Sequence, residues 1–222
     1  MNNEYFGALL VLAGDPPRGL ARDKLLELAN ASPKPQIIAA DGGAAYLAEL
    51  GIRPDLIIGD CDSIPPQLFA DIPRQLFPTA KNFTDGEAAF AYTVEHTQGK
   101  IALFGALGGR LDHFLTNIYL PLQWYDQAER FVLYGDDFEA FYSLGYLEVA
   151  GNPGDTLSII AVSAQVKGIT LYNLVYGLEN YDLERGSSRC VSNVLAEPVA
   201  IIEHKEGLAL VIHYPVAQEK LE

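Results

Sequence analysis

Five short apolar runs, each stopped by glycine and aspartate, constrain the architecture more than any other feature of this chain. Residues 6–13, 36–40, 56–58, 101–106 and 131–134 are runs rich in Leu, Ile, Val, Ala and Phe. Segments with helical spacing separate most of them, at 18–30, 44–50, 84–98 and 111–119. A strand that is apolar on both faces has to be covered on both faces, so strands alternating with helices predict a buried parallel sheet. After about residue 137 the pattern changes to period-2 segments at 141–149, 156–162, 169–176, 199–203 and 208–214, with no convincing helix. The last two flank His204-Lys205-Glu206-Gly207, which reads as a hairpin turn. The expected fold class is α/β: an N-terminal parallel-sheet domain over 1–137, followed by a C-terminal all-β sandwich over 138–222.

The residues that stop the runs carry the chemistry. Asp15, Asp41, Asp60 with Asp62, Asp112 and Asp136 with Asp137 all follow apolar runs or the glycine loop after one. In an open parallel sheet, ligands bind outside the carboxyl ends of the strands, so these carboxylates should gather on one edge. A cluster of like charges repels unless a cation sits among them. The bland reading is that Gly and Asp only make turns and helix caps.

Gly59-Asp60-Cys61-Asp62-Ser63 is the sharpest local motif. Carboxylates at i and i+2 of an extended chain share a side, which suits hard-oxygen ligation of Mg²⁺ beside a phosphate. An Asx-rich turn leading into Pro65-Pro66 is the alternative. Asp41-Gly42-Gly43 opens a helix whose first N–H groups could hold an anion, or it is simply a turn. Thr84-Asp85-Gly86-Glu87 matches a capping box, and Asp85 also stands close in sequence to Lys81. The loop Gly105 to His113, with Gly108, Gly109, Arg110 and Asp112, is glycine-rich without being a Walker A sequence. Its backbone and the Arg110 fork could cradle phosphates, with Asp112 either facing them or capping the next helix.

Composition removes whole function classes. The 222 residues carry 15 Lys and Arg against 29 Asp and Glu, a net charge of −14, which argues against binding nucleic acid through its phosphates. Hydrophobic residues at 49% supply a real core. Two cysteines, Cys61 and Cys190, are no disulfide framework and are expected as thiols. The start, Met1-Asn2-Asn3-Glu4, has no basic region, and no apolar run reaches the 20 or so residues a spanning helix needs. The expectation is a cytoplasmic protein with no membrane partner.

Taken in order, these segments resemble the thiamine pyrophosphokinase (thiamine diphosphokinase) family over nearly the whole chain. The resemblance is carried by Ala40-Asp41-Gly42-Gly43-Ala44, Arg53-Pro54-Asp55, Gly59-Asp60-Cys61-Asp62-Ser63, Thr84-Asp85-Gly86-Glu87, the loop from Gly105 to His113, and Asn117. Gly168-Ile169-Thr170-Leu171, Tyr176, Arg185-Gly186-Ser187-Ser188 and Val191-Ser192-Asn193 continue it into the second half. It implies transfer of a diphosphoryl group from ATP, with Mg²⁺, to the thiamine hydroxyl, giving AMP and thiamine diphosphate. It further implies a homodimer with shared active sites. Asp41, Asp60, Asp62 and Asp85 would hold the metal and phosphates, with Arg110 and Asp112 flanking them. Gly42, Gly43, Lys81, Asn82, Thr84, Gly108, Gly109 and His113 would serve the nucleotide, and Tyr176, Ser192 and Asn193 the thiamine. The chain departs from the family pattern at Asn82, where Asp is usual, and over residues 173–178. Those departures keep two rivals in play: a diphosphokinase for another heterocyclic alcohol, and a binding module without turnover.

Overall fold

Continuous apolar strands need cover on both faces, and the computed structural model, which describes residues 5–62, 64–77 and 82–216, supplies it. The chain divides into two units. The first runs to Pro121 and resumes over Arg130–Asp136; the second comprises Leu122–Glu129 and everything from Asp137 onward.

The first unit contains β1 (Phe6–Val11), α1 (Gly19–Ala29), β2 (Gln36–Ala40), α2 (Gly43–Glu49), β3 (Leu56–Gly59), β4 (Arg74–Leu76), α3 (Asp85–His96), β5 (Lys100–Phe104), α4 (Leu111–Tyr119) and β6 (Phe131–Tyr134). Its strands are parallel, in the order β6-β5-β1-β2-β3-β4. Leu9, Leu10, Ile38, Ile57, Ile58 and Leu103 have no exposed surface, as two-sided cover requires. The chain leaves β1 in one direction for β2 to β4, then returns to the other side of β1 with β5. The crevice outside the carboxyl ends of β1 and β5 is therefore the topological switch point. β4 was not expected: Gln75 and Leu76 are exposed on this edge strand, so it carries no core pattern to read.

The second unit is an antiparallel sandwich of β7 (Glu139–Ser143), β8 (Tyr146–Ala150), β9 (Thr156–Ala161), β10 (Gln165–Tyr172), β11 (Leu178–Glu184), β12 (Asn193–Val194), β13 (Val199–Glu203) and β14 (Ala209–Tyr214). One layer is ordered β12-β9-β14-β7 and the other β11-β10-β13-β8. Leu157, Ile159 and Val211 of the first layer meet Val166, Ile169, Leu171 and Ile202 of the second in the core.

Two expectations are corrected here. Residues 199–214 are not a hairpin, because β13 pairs with β8 and β10 while β14 pairs with β7 and β9. Residues 141–149 are not one strand, because the chain breaks at Leu144-Gly145 into β7 and β8, which lie in different layers. The two crossings brace each other, with His204 N–H donating to the Gly145 carbonyl at 2.7 Å. Alternating patterns report which residues face the core, and they do so equally for a hairpin and for a strand that changes layers.

A buried charge network holds the end of β14. The Nδ1 of His213 lies 3.2 Å from Glu139 Oε1 and its Nε2 lies 2.9 Å from Asp155 Oδ2. Asp155 is fully buried and also accepts the N–H groups of Asn152 and Val216, each at 2.7 Å. Burial by itself would lower the His213 pKa, but hydrogen bonds to Glu139 and Asp155 outweigh it and the value rises above 6.5. Burial likewise works against ionised Asp155, yet the two backbone N–H groups and His213 hold its pKa below 3.8. The His213 contribution to stability is therefore complete below about pH 6.5 and is lost as pH rises through its raised folded value. The Asp155 contribution is present above about pH 3.8 and is lost as pH falls through its lowered folded value. Denaturation midpoints measured against pH should show this unit most stable between those limits. His213→Gln should flatten the alkaline decline.

Candidate active site

The acidic edge is assembled by backbone geometry at two strand ends. Asp41 follows β2 with φ of +44°, and its N–H donates to the Ile58 carbonyl of β3 at 2.9 Å. That bond sets Asp41 beside the turn after β3. There Gly59 has φ of +144° and Cys61 φ of +58°, and the Asp62 N–H donates to Asp60 Oδ1 at 3.3 Å. Asp41, Asp60 and Asp62 consequently present carboxylate oxygens within 4.8 Å of one another. The Asp60 and Asp62 pair expected on an extended strand is brought together by a left-handed residue instead. Three carboxylates this close are an all-oxygen donor set, which suits a hard divalent cation such as Mg²⁺.

Asp85 adjoins this group without belonging to the trio. A Cβ at Gly59 would stand 3.0 Å from Asp85 Oδ1 and 3.3 Å from the Asp41 Cβ, so the absence of a side chain there lets the two carboxylates approach. Asp85 opens α3, and Thr84 caps that helix as expected, its hydroxyl accepting the Glu87 N–H at 3.0 Å.

A cavity of about 490 Å³ lies at the β1–β5 switch point. Gly14 and Gly108 line it from the β1 and β5 loops, Asp41 and Gly42 from the β2 end, and Thr84 and Asp85 from α3. Arg110, His113 and Asn117 close it from the α4 side. Arg110 and Asp112 form a two-point pair, Nε to Oδ1 at 3.1 Å and Nη2 to Oδ2 at 2.6 Å. Those hydrogen bonds from Arg110, helped by the His113 N–H, hold the Asp112 carboxyl at about 2. Asp112 is not the helix cap: Arg110 occupies that position, with no side-chain cap bond.

Other sequence-derived candidates fall elsewhere. Asp136 leaves the edge group, because its carboxylate accepts the Arg18 N–H at 2.9 Å and its carbonyl the Leu20 N–H at 2.8 Å, capping α1. Asp137 belongs to the second unit. Gly43 is buried and packs on β1, where a Cβ would stand 2.2 Å from the Val11 carbonyl oxygen. Asn82 is exposed and outside the cavity lining, and Lys81 lies outside the described residues. Two residues without an assigned role reinforce the cavity wall. Tyr46 donates from its hydroxyl to the Gly14 carbonyl at 2.6 Å, and Asn117 Nδ2 donates to the Ala106 carbonyl at 2.9 Å. No spacing rule marks Tyr46; it is simply one helical residue facing a strand end.

In the second unit, Asn193 and Tyr176 do come together. The Asn193 Oδ1 accepts the N–H groups of Tyr176 at 3.0 Å and Val194 at 2.9 Å, and its Nδ2 donates to the Tyr176 carbonyl at 2.8 Å. Asn193 is buried while Tyr176 is 66% exposed, so the amide acts as a strut for an outward ring. Ser192 has φ of +59°, and its N–H donates to Ser158 Oγ at 3.0 Å.

A parallel sheet with carboxylates at its switch-point edge, followed in the chain by a separate antiparallel sandwich, defines a two-part α/β and β protein with an acidic strand-end cleft. Comparison with known proteins gives that architecture its family. Residues 29–133 match "Thiamin pyrophosphokinase, catalytic domain" and residues 147–209 match "Thiamin pyrophosphokinase, vitamin B1 binding domain". The chain belongs to the thiamin pyrophosphokinase family. It is 28% identical over 182 residues to the thiamine pyrophosphokinase of Bacillus subtilis, covering 79% of this chain and 85% of that one. The crystal structure of thiamin pyrophosphokinase from Geobacillus thermodenitrificans superposes with a TM-score of 0.79 at 28% identity, covering 95% of this chain and 99% of that chain. The thiamin pyrophosphokinase of Candida albicans shares the fold at 18% identity, with a TM-score of 0.72 over 95% of this chain and 90% of that one.

Proposed function

We propose that this chain is a thiamine diphosphokinase, transferring the diphosphoryl group of Mg-ATP to the thiamine hydroxyl to give thiamine diphosphate and AMP. The observation that carries this reading is the carboxylate trio beside a cavity at the β1–β5 switch point, in a chain of this family. Asp41, Asp60 and Asp62, with Asp85 adjoining, would hold Mg²⁺. Bound there, the ion supplies charge neutralisation for the phosphate oxygens. The thiamine hydroxyl oxygen bonds to the β-phosphorus, the bond from that phosphorus to the α,β-bridging oxygen breaks, and AMP departs with that oxygen. A carboxylate, Asp60 or Asp85, takes the hydroxyl proton. Arg110 exchanges its exposed partner Asp112 for a phosphate oxygen, which its fork geometry suits. Catalysis is then largely positioning and electrostatics.

Incubation with Mg-ATP and thiamine, with AMP and thiamine diphosphate quantified, tests the proposal. Equal amounts of both products support it. Tight binding of both substrates without AMP replaces it with a binding module. AMP formed only with another heterocyclic alcohol replaces the substrate.

The proposal includes a homodimer and a cytoplasmic setting. No helix among the described residues is long and apolar enough to cross a membrane. Support for the dimer comes from α4, none of whose residues is buried. Leu111, Leu115 and Tyr119 recur every four residues and are 68%, 46% and 41% exposed, an apolar ridge that a second copy would cover. Leu115→Glu should shift the sedimenting species from dimer to monomer. A dimer unchanged by it places the interface elsewhere.

A further inference from the structure

We infer that Asp15 is a positioning residue, clamping the glycine loop of the nucleotide cavity across the switch point. The inference rests on the Mg-ATP reading of that cavity.

The loop needs an external clamp. Gly105, Gly108 and Gly109 all have positive φ, of +61°, +75° and +63°, and glycine backbone loses the most freedom when held in one conformation. The β1 loop provides three contacts in register. Gly14 N–H donates to the Gly105 carbonyl at 2.8 Å and Asp15 N–H to the Leu107 carbonyl at 2.9 Å. The third comes from a side chain: Asp15 Oδ1 accepts the Gly109 N–H at 3.1 Å. The contact is close enough to dictate its neighbour, since a Cβ at Gly108 would lie 1.9 Å from Asp15 Oδ2. Glycine at 108 thus answers both to its φ and to the carboxylate packed against it.

The clamp acts through the loop. Gly14, Gly108 and Arg110 line the cavity, while Asp15 lies outside its lining. The Gly109 N–H is engaged by Asp15, so the part of the loop that meets ligand is the Gly108 face and the Arg110 side chain beyond it. Tyr46 steadies the same wall from α2 through its bond to the Gly14 carbonyl. Asp15 is exposed, so changing it leaves the core intact.

Asp15→Ala, with Asp15→Asn as the conservative variant, provides the test in the full-length protein. Losing a hydrogen bond to a charged acceptor should raise KM for Mg-ATP about ten-fold. The kcat and the KM for thiamine should change far less, and the melting temperature should stay the same. The Asn oxygen can still accept from Gly109, so that variant should restore most of the affinity. Amide hydrogen exchange at Gly109, read without nucleotide, should accelerate in the Ala variant and return toward the parent rate in the Asn variant. Unchanged exchange and KM overturn the clamp. Tighter Mg-ATP binding by the Ala variant also overturns it, showing the carboxylate to be a competitor for the phosphate position. Failure of the unaltered protein to bind Mg-ATP, with exchange at Gly109 still responding to Asp15, overturns the nucleotide reading instead.

Discussion

Replacing Asp41 by Asn should lower kcat for AMP formation by at least about a hundred-fold, because a metal contact of this kind is worth several kcal/mol of charge stabilisation. Asn keeps the size and one oxygen of the side chain but removes the charge. In the cation-free protein, Asp41, Asp60 and Asp62 repel across oxygens within 4.8 Å of one another. Removing one charge should therefore leave the melting temperature unchanged or raise it. Mg²⁺ should raise the melting temperature of the parent protein more than that of the variant, since a ligand that binds only the folded state stabilises it. The signature is lost turnover in a protein at least as stable as its parent. Asp60→Asn and Asp62→Asn should repeat it. Near-normal AMP formation in any of the three would overturn that residue's place in the metal site, whereas activity lost in step with melting temperature would make the residue structural.

Gly43→Ala should be the most destabilising single-methyl change near the site, at about 3 kcal/mol, the upper part of the usual range for overpacking. The added carbon would sit 2.2 Å from the Val11 carbonyl oxygen and 2.8 Å from its carbon, both backbone atoms of a central strand that cannot rotate away. Relief requires α2 to move off β1. Asp41 and Gly42 lie immediately before this helix, so the shift would also disturb the cavity wall. Calorimetry should show a melting temperature lower by about 10 °C, with activity reduced even where the protein remains folded. Gly51→Ala is the control for adding a methyl in the same region, since nothing lies within 4 Å of a Cβ there; its φ of +69° adds only local strain. Equal destabilisation by both changes would remove the close-packing argument for Gly43.

Much of the first unit was legible because its signals are local. An apolar run stopped by Gly and Asp is a buried strand reaching the sheet edge, and four such runs gave β1, β2, β3 and β6 nearly residue for residue. The Thr84 cap was legible for the same reason, its partner being three residues away. What stayed hidden was non-local or had no side-chain pattern. β4 is an exposed edge strand, Tyr46 reaches a loop 32 residues earlier, and the layer changes at Gly145 and after β13 leave the alternation intact. In the site, Asp41, Asp60 and Asp62 were read as candidates from their positions at strand ends. Asp136 has the same sequence signature and became a helix cap.

By itself the sequence determined the strand and helix segments, the sandwich that follows them, and the list of carboxylates available to a cation. Hydrophobic periodicity and turn chemistry act over a few residues, so one chain suffices to read them. Only the tertiary structure decided which carboxylates meet. That outcome depends on strand order, on positive φ at Asp41 and Cys61, and on the one bond from Asp41 to Ile58 that joins two strand ends. It also separated Asp15, which holds the loop, from Asp41, which faces the cavity. Proximity between residues distant in the chain is a property of the packed sheet, and no local pattern encodes it.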